Sequence, residues 1–142
     1  MELLVESNDS NYLYVGVVGR EWSDFATAFN KANGWSLQAD GYVYDNGSGQ
    51  GMGQAAKLRT GARVTLKVDM GAKRIEFLVN GASIKACDVT VSEVCLAAGF
   101  GGSNQLISIQ SVQEGAGGLA VAASDGSYSA ETGEFGWSGW GI

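Results

Sequence analysis

Residues 61–81 read GARVTLKVDMGAKRIEFLVNG, the clearest strand pattern in the chain. Apolar and polar side chains alternate on both sides of 70–73, with the two-residue period of a half-buried strand. Asn80 and Gly81 follow the second run, and this dipeptide readily adopts the positive φ angles of a tight turn. The stretch therefore predicts two antiparallel strands joined at 70–73, with a sharp turn after the second strand.

Further strands are expected on both sides of this hairpin. Residues 2–6 and 105–112 have strand-like sequences, and 12–18 carries apolar residues on both faces, which is typical of a central strand. The Gly-dense stretch 47–53 is expected to be a mobile hairpin loop. It lacks the terminal Lys and Ser or Thr of a phosphate-binding loop.

Residues 20–34 differ from the rest of the chain. Phe25 and Phe29 are four residues apart, Ser23 can cap a helix, and Asn33 with Gly34 can end one. The pattern predicts a short helix near 24–31 that lies over the sheets.

The composition fits a single all-β domain. The chain has 142 residues, 45% of them hydrophobic, with 22 Gly and only short apolar runs. A net charge of −6 argues against nucleic acid as a partner. We find neither a bilayer-spanning run nor a signal peptide, so an intracellular, cytoplasmic protein without membrane association is expected.

The residues offer little chemistry. The chain has no His, so it lacks Ser-His and Cys-His nucleophilic pairs, and Cys87 and Cys95 are expected to be free thiols. The loop at 45–49 lacks the ligand spacing of an EF-hand. We therefore expect no enzyme, no metal site and no cofactor. The carboxylates are expected to be solvated or turn-forming rather than a glycosidase pair: Asp40, Asp45, Asp69, Glu76 and Asp88.

Five segments together resemble the SPRY (B30.2-type) domain family. They are YVGV at 14–17, GWSL at 34–37, DGYVYDNG at 40–47, TGARVTLKVD at 60–69 and IEFLVNG at 75–81, in the family's order and at similar spacing. The chain departs from the family pattern by having no Pro and by Val64-Thr65 in place of a frequent Ile-Gly. The resemblance implies a β-sandwich of two bent antiparallel sheets with concanavalin-like jelly-roll topology.

The resemblance ends near residue 112. Residues 114–118 look like a Gly-rich linker, and the tail at 119–142 is expected to add strands to the same sandwich. Those strands would replace the ones that SPRY domains carry before the first strand seen here, so the domain would be circularly permuted. The alternative is a tail that docks on a neighbouring chain and causes self-association.

The resemblance also implies a binding function. SPRY domains bind proteins or peptides through loops at one end of the sandwich, and the matching stretches are 20–31, 45–53 and 99–105. We expect non-catalytic recognition of a peptide, with a mild preference for a basic one. Carbohydrate binding and assembly through the tail are the alternatives. The expected apolar anchors are Trp22, Tyr42, Tyr44 and Phe100, and the expected hydrogen-bonding groups are Asp45, Asn46, Ser103 and Asn104.

Overall fold

A computed structural model describes residues 1–23, 29–102 and 104–112, and the backbone of three further strands at 120–123, 127–129 and 134–137. This part of the chain is nearly all strand, and its one helical element is a short 3₁₀ helix, Gln54–Ala56. Of the helix expected near 24–31, residues 24–28 lie outside the described residues, and residues 29–31 are not helical.

The described strands form two sheets. In spatial order, sheet A contains β12 (Ser127–Ser129), β13 (Glu134–Trp137), β10 (Gln105–Ser111), β1 (Glu2–Ser7), β6 (Arg63–Asp69), β7 (Arg74–Val79) and β8 (Ala82–Asp88). Sheet B contains β11 (Ala120–Ala123), β9 (Val94–Phe100), β2 (Leu13–Gly19), β3 (Gly34–Gln38), β4 (Tyr42–Asp45) and β5 (Ser48–Gly51). The expected all-β sandwich is confirmed.

The hairpin expected at 61–81 is present. Strands β6 and β7 pair antiparallel with Leu66 opposite Phe77. Asn80 and Gly81 both have positive φ, 51° and 83°, and the chain turns there directly into β8. Asn80 Oδ1 also accepts a hydrogen bond of 3.0 Å from the backbone N–H of Arg63, which fixes the turn against β6.

The core lies between the sheets. Trp35 and Phe77 are fully buried there, and they are among the largest buried side chains. Alternate residues of β1, β2, β6 and β7 contribute to this layer, so side chains of either sheet meet the other sheet. This burial is the main source of stability for a sandwich without disulfides in its described part.

Two expectations about the loops are wrong. The Gly-dense stretch 47–53 is not a loop throughout, since its first half forms β5 against β4. The stretches 20–31, 45–53 and 99–105 do not meet at one end either. Leu13 lies opposite Phe100, whereas Trp35 lies opposite Asp45. Because neighbouring strands run in opposite directions, the loop after β9 is at one end of sheet B and the β4–β5 turn is at the other.

The tail strands lie at the edges of both sheets. In sheet A, β13 pairs antiparallel with β10, and β12 pairs with β13. In sheet B, β11 pairs parallel with β9, the one parallel pair among the described strands. The tail strands therefore cover an edge of each sheet on the same side of the sandwich.

Candidate functional site

Four of the five tyrosines of the chain lie on the outer face of sheet B. Because side chains alternate along a strand, Tyr14 of β2 and Tyr42 and Tyr44 of β4 point away from the core. Their neighbours Val15 and Val43 are fully buried on the inner face. Tyr12, just before β2, is 59% exposed. We call Tyr12, Tyr14, Tyr42, Tyr44 and the adjacent Asp40 the tyrosine face.

Tyr42 and Tyr44 form a stacked pair. Their ring centroids are 6.3 Å apart with an angle of 26° between the rings, and Tyr42 is 44% exposed. On the neighbouring strand β5, Gly51 lies opposite Tyr42 and Gly49 lies opposite Tyr44. A Cβ added to Gly49 would lie 2.8 Å from Cε1 of Tyr44, so that ring occupies the space of a missing side chain.

Asp40 places a carboxylate beside these rings. Its Oδ1 accepts a hydrogen bond of 3.1 Å from the backbone N–H of Tyr42, which holds the carboxylate at the start of β4. Burial raises the pKa of Tyr14 to about 12, and the nearby Tyr44, Asp40 and Tyr12 add to the shift. Partial burial, followed by Asp40, also raises the pKa of Tyr44. These two phenols therefore remain neutral hydrogen-bonding groups at neutral pH.

Two of the expected hydrogen-bonding residues have structural roles instead. Asp45 accepts a hydrogen bond of 3.1 Å from the indole N–H of Trp35, and its other oxygen lies 4.0 Å from Lys85 Nζ. Asn46 occupies the β4–β5 turn with φ of 51°, and its Oδ1 accepts 2.7 Å from the backbone N–H of Asn33. Both side chains therefore hold the scaffold together.

Phe100 is not a surface anchor. It lies in β9 rather than in a loop, and only 2% of it is exposed, so it belongs to the core. Trp22 is half-buried and packs edge-to-face on Phe29 with ring centroids 6.0 Å apart. This contact makes Trp22 an anchor for its own loop.

Asn104 lies just before β10, at the far end of sheet B from the β4–β5 turn. Asn104 is exposed, and its backbone carbonyl accepts a hydrogen bond of 2.8 Å from Ser7 Oγ. Ser103 lies outside the described residues. Of the seven predicted residues that the structure describes, only Tyr42 and Tyr44 therefore lie together on an outer surface. The sequence analysis missed Tyr12, Tyr14 and Asp40, although tyrosines two residues apart occur twice in the sequence.

A separate cleft of about 480 Å³ lies beside Trp22 and Asn33, at the end of sheet B where β2 ends and β3 begins. Its most prominent charges are already paired, because Arg20 Nη1 lies 2.8 Å from Glu93 Oε2. Both side chains are largely exposed, so this ion pair contributes little to stability.

The thiols and carboxylates form no reactive cluster in the part of the chain that the structure describes. No group of three or more His, Cys, Asp or Glu residues is placed there to hold a metal ion. Cys87 and Cys95 are both free, as expected. Burial raises the pKa of Cys87 to about 12, so its thiol is protonated and a poor nucleophile at neutral pH. No helix within the described residues is long and apolar enough to cross a membrane.

No protein-family model matches the chain, and a search of curated proteins gives no match. The tyrosine face combines exposed aromatic surface, phenolic hydroxyls and one carboxylate.

Proposed function

We propose that this protein is a non-catalytic binding module that recognises a protein or peptide segment on its tyrosine face. The observation that carries the proposal is the Tyr42 ring, 44% exposed and stacked on Tyr44. Exposed aromatic side chains of low conformational freedom dominate the binding energy of many interfaces. The pair lies on a strand, so sheet geometry fixes its position before any ligand arrives.

The charges favour a basic segment as the ligand. Asp40 is an acidic group beside the tyrosines, and the strands β2, β3, β4, β5 and β9 carry no Lys or Arg. A Lys or Arg side chain of the ligand could lie over the rings as a cation–π pair and approach the carboxylate. The net charge of −6 attracts the same kind of ligand at long range.

The SPRY resemblance supports a binding role of this class. We propose that the domain is a SPRY-like sandwich in which the tail strands take the place of the missing N-terminal ones, since they pair with β9 and β10. The proposed surface differs from the loop end that the family uses. The two free thiols suit a reducing, intracellular setting for this binding.

A displayed library of random linear peptides tests the proposal. We expect the folded protein to enrich peptides that contain Lys or Arg, and the double variant Tyr42→Ala, Tyr44→Ala to lose them. Val112→Ala is the matched control, because Val112 is 47% exposed and follows β10 of the other sheet. Lack of enrichment by the folded protein, or equal enrichment by the double variant, would contradict the proposal.

Carbohydrate binding is the second candidate, because a sugar ring can stack on the exposed Tyr42 while its hydroxyls bind Asp40. A glycan array separates the two candidates. Binding to a glycan that Tyr44→Ala abolishes, in a protein that enriches no peptide, would favour the carbohydrate.

A further inference from the structure

Strand β5 is an edge strand with one unpaired side. It is the last strand of sheet B, and among the described strands only β4 pairs with it. All four of its residues are exposed. An unpaired strand edge can accept an extended segment of another chain, with main-chain hydrogen bonds supplying affinity.

The hydrogen-bonding pattern between β4 and β5 shows which backbone groups of β5 point to its unpaired side. Asn46 and Gly47 form a two-residue turn, so the pair Asp45 and Ser48 that closes it exchanges hydrogen bonds. Hydrogen-bonded pairs then recur at every second residue along the two strands. The hydrogen bond of 2.8 Å from the N–H of Met52 to the carbonyl of Gly41 agrees with this alternation. The backbone N–H and C=O groups of the intervening residues, Gly49 and Gly51, therefore point to the free side.

The same two glycines bring the tyrosine face to the edge. Cζ, Cε2 and the hydroxyl of Tyr42 lie 3.5, 3.6 and 3.8 Å from the position of a Cβ on Gly51. The Tyr44 ring lies over Gly49 in the same way. Because Gly49 and Gly51 have no side chains, nothing on the outer face of β5 at these two positions separates the rings from the place where an added strand would lie.

We propose that the ligand of the tyrosine face binds as an added β-strand on the free edge of β5. This inference rests on the function proposed above. The ligand backbone pairs with Gly49 and Gly51, and its side chains on the outer face contact Tyr42 and Tyr44. The ligand is an extended segment with Lys or Arg among those side chains. A second copy of this chain is the less suitable occupant, because two molecules with a net charge of −6 repel each other.

Substitution of Gly51 tests the edge separately from the rings. Gly51→Pro removes an N–H that faces the free side and does not break the ladder to β4. Gly51→Ala is the control, since its Cβ would lie at an ordinary contact distance of 3.5 Å from Tyr42 and the N–H is kept. Peptides enriched from the displayed library should bind the Ala variant as they bind wild type, and the Pro variant about tenfold or more weakly.

A second measurement does not depend on how Gly51→Pro folds. An enriched peptide is resynthesised with a single N-methyl group at each position in turn. Strand addition predicts that N-methylation weakens binding about tenfold or more at alternate residues and has little effect at the residues between them.

The outcomes are distinct. Peptides lost from Tyr42→Ala but retained by a folded Gly51→Pro variant, with no two-residue period in the N-methyl scan, would overturn strand addition and leave the proposed function standing. No enriched peptide at all would overturn both. Concentration-dependent dimers that Gly51→Pro abolishes would identify a second copy as the occupant and overturn the proposal in favour of self-pairing.

Discussion

The buried indole of Trp35 and the carboxylate of Asp45 face each other across β3 and β4, and the indole N–H donates a hydrogen bond of 3.1 Å to Oδ1. Trp35 is fully buried, so this acceptor satisfies a donor that has no access to water. Asp45 thereby connects the core to the turn that begins the edge strand β5.

Replacement of Asp45 should destabilise the protein, and the loss should be larger when the new side chain has no oxygen to accept the hydrogen bond from Trp35. Asp45→Ala leaves the indole N–H buried and unpaired and should lower the free energy of unfolding by about 1–3 kcal/mol. Asp45→Asn keeps an oxygen at the same place and should cost less. Urea unfolding followed by tryptophan fluorescence measures both variants. An equal loss of unfolding free energy in both variants would show that Asp45 stabilises the protein through its charge near Lys85 and not as a hydrogen-bond acceptor.

Gly16 is expected to tolerate no side chain. It lies in the middle of β2, and a Cβ there would overlap the carbonyl oxygen of Trp35 and the backbone of Ser36. Backbone atoms cannot move aside without separating β2 from β3, so Gly16→Ala should cost about 3 kcal/mol or more. Gly19→Ala is the control, since its Cβ would meet side chains at 3.4 Å or beyond. Similar unfolding midpoints for the two variants would contradict the packing described here.

The sequence predicted the central hairpin of this fold correctly. The hairpin at 61–81 follows from alternation and from Asn80 with Gly81, both of which act over a few residues. The same dipeptide at Asn46 and Gly47 also forms a tight turn, with φ of 51° and 94°. Strand β5 was nevertheless missed, because Ser48–Gly51 has almost no strand propensity and is a strand through its pairing with β4.

The candidate site was harder to predict because it depends on which strands are neighbours. Tyr14 and Tyr44 are 30 positions apart and share a face only because β3 lies between β2 and β4. The loops after β4 and β9 looked like one surface in the sequence, but the number of strands between them places them at opposite ends. Phe100 is a strand residue although glycines flank it, because β9 continues as far as its pairing with Leu13 of β2.

The two thiols should differ in reactivity. Cys87 is buried with its pKa raised to about 12, mainly by burial and then by Asp45, whereas Cys95 is half-buried on the outer face of sheet B. A thiol-specific chromogenic reagent at neutral pH should therefore modify Cys95 first, and Cys87 only when the protein unfolds. The variant Cys95→Ser leaves Cys87 as the one remaining thiol, so its slower reaction can be measured alone. Rapid modification of Cys87 in the folded variant would contradict its burial.

Stability should decrease in alkaline solution. The pKa of Tyr14 is raised from 10 to about 12 and that of Cys87 from 9 to about 12, in each case mainly by burial. The unfolded chain releases these protons at lower pH than the folded one, so the stability they contribute is complete below about pH 9 and is lost as the pH rises to about 12. Urea midpoints measured over this range should fall less steeply in Tyr14→Phe than in wild type. Identical slopes would contradict the assignment to Tyr14.

Removal of the tail should expose two strand edges. The strands β11 and β13 pair with β9 and β10, so a chain that ends at Val112 leaves both edges uncovered. We expect a lower unfolding midpoint and aggregation that increases with concentration, measured by urea unfolding and light scattering. A monomer with an unchanged midpoint would show that the tail is not part of the sandwich. Self-association of the full chain that the truncation removes would favour assembly through the tail.

The spacing of the tyrosine pair has a consequence for selectivity. Tyr42 and Tyr44 are separated by one inward-facing residue, so the distance between them along β4 is the repeat of a β-strand, about 7 Å. A ligand strand added to β5, as proposed above, would have the same repeat, and its alternate side chains would reach both rings together. One residue inserted between the two contacting side chains of the ligand would turn one of them to the opposite face. The protein would thus distinguish sequences by the order and phase of their residues as well as by composition.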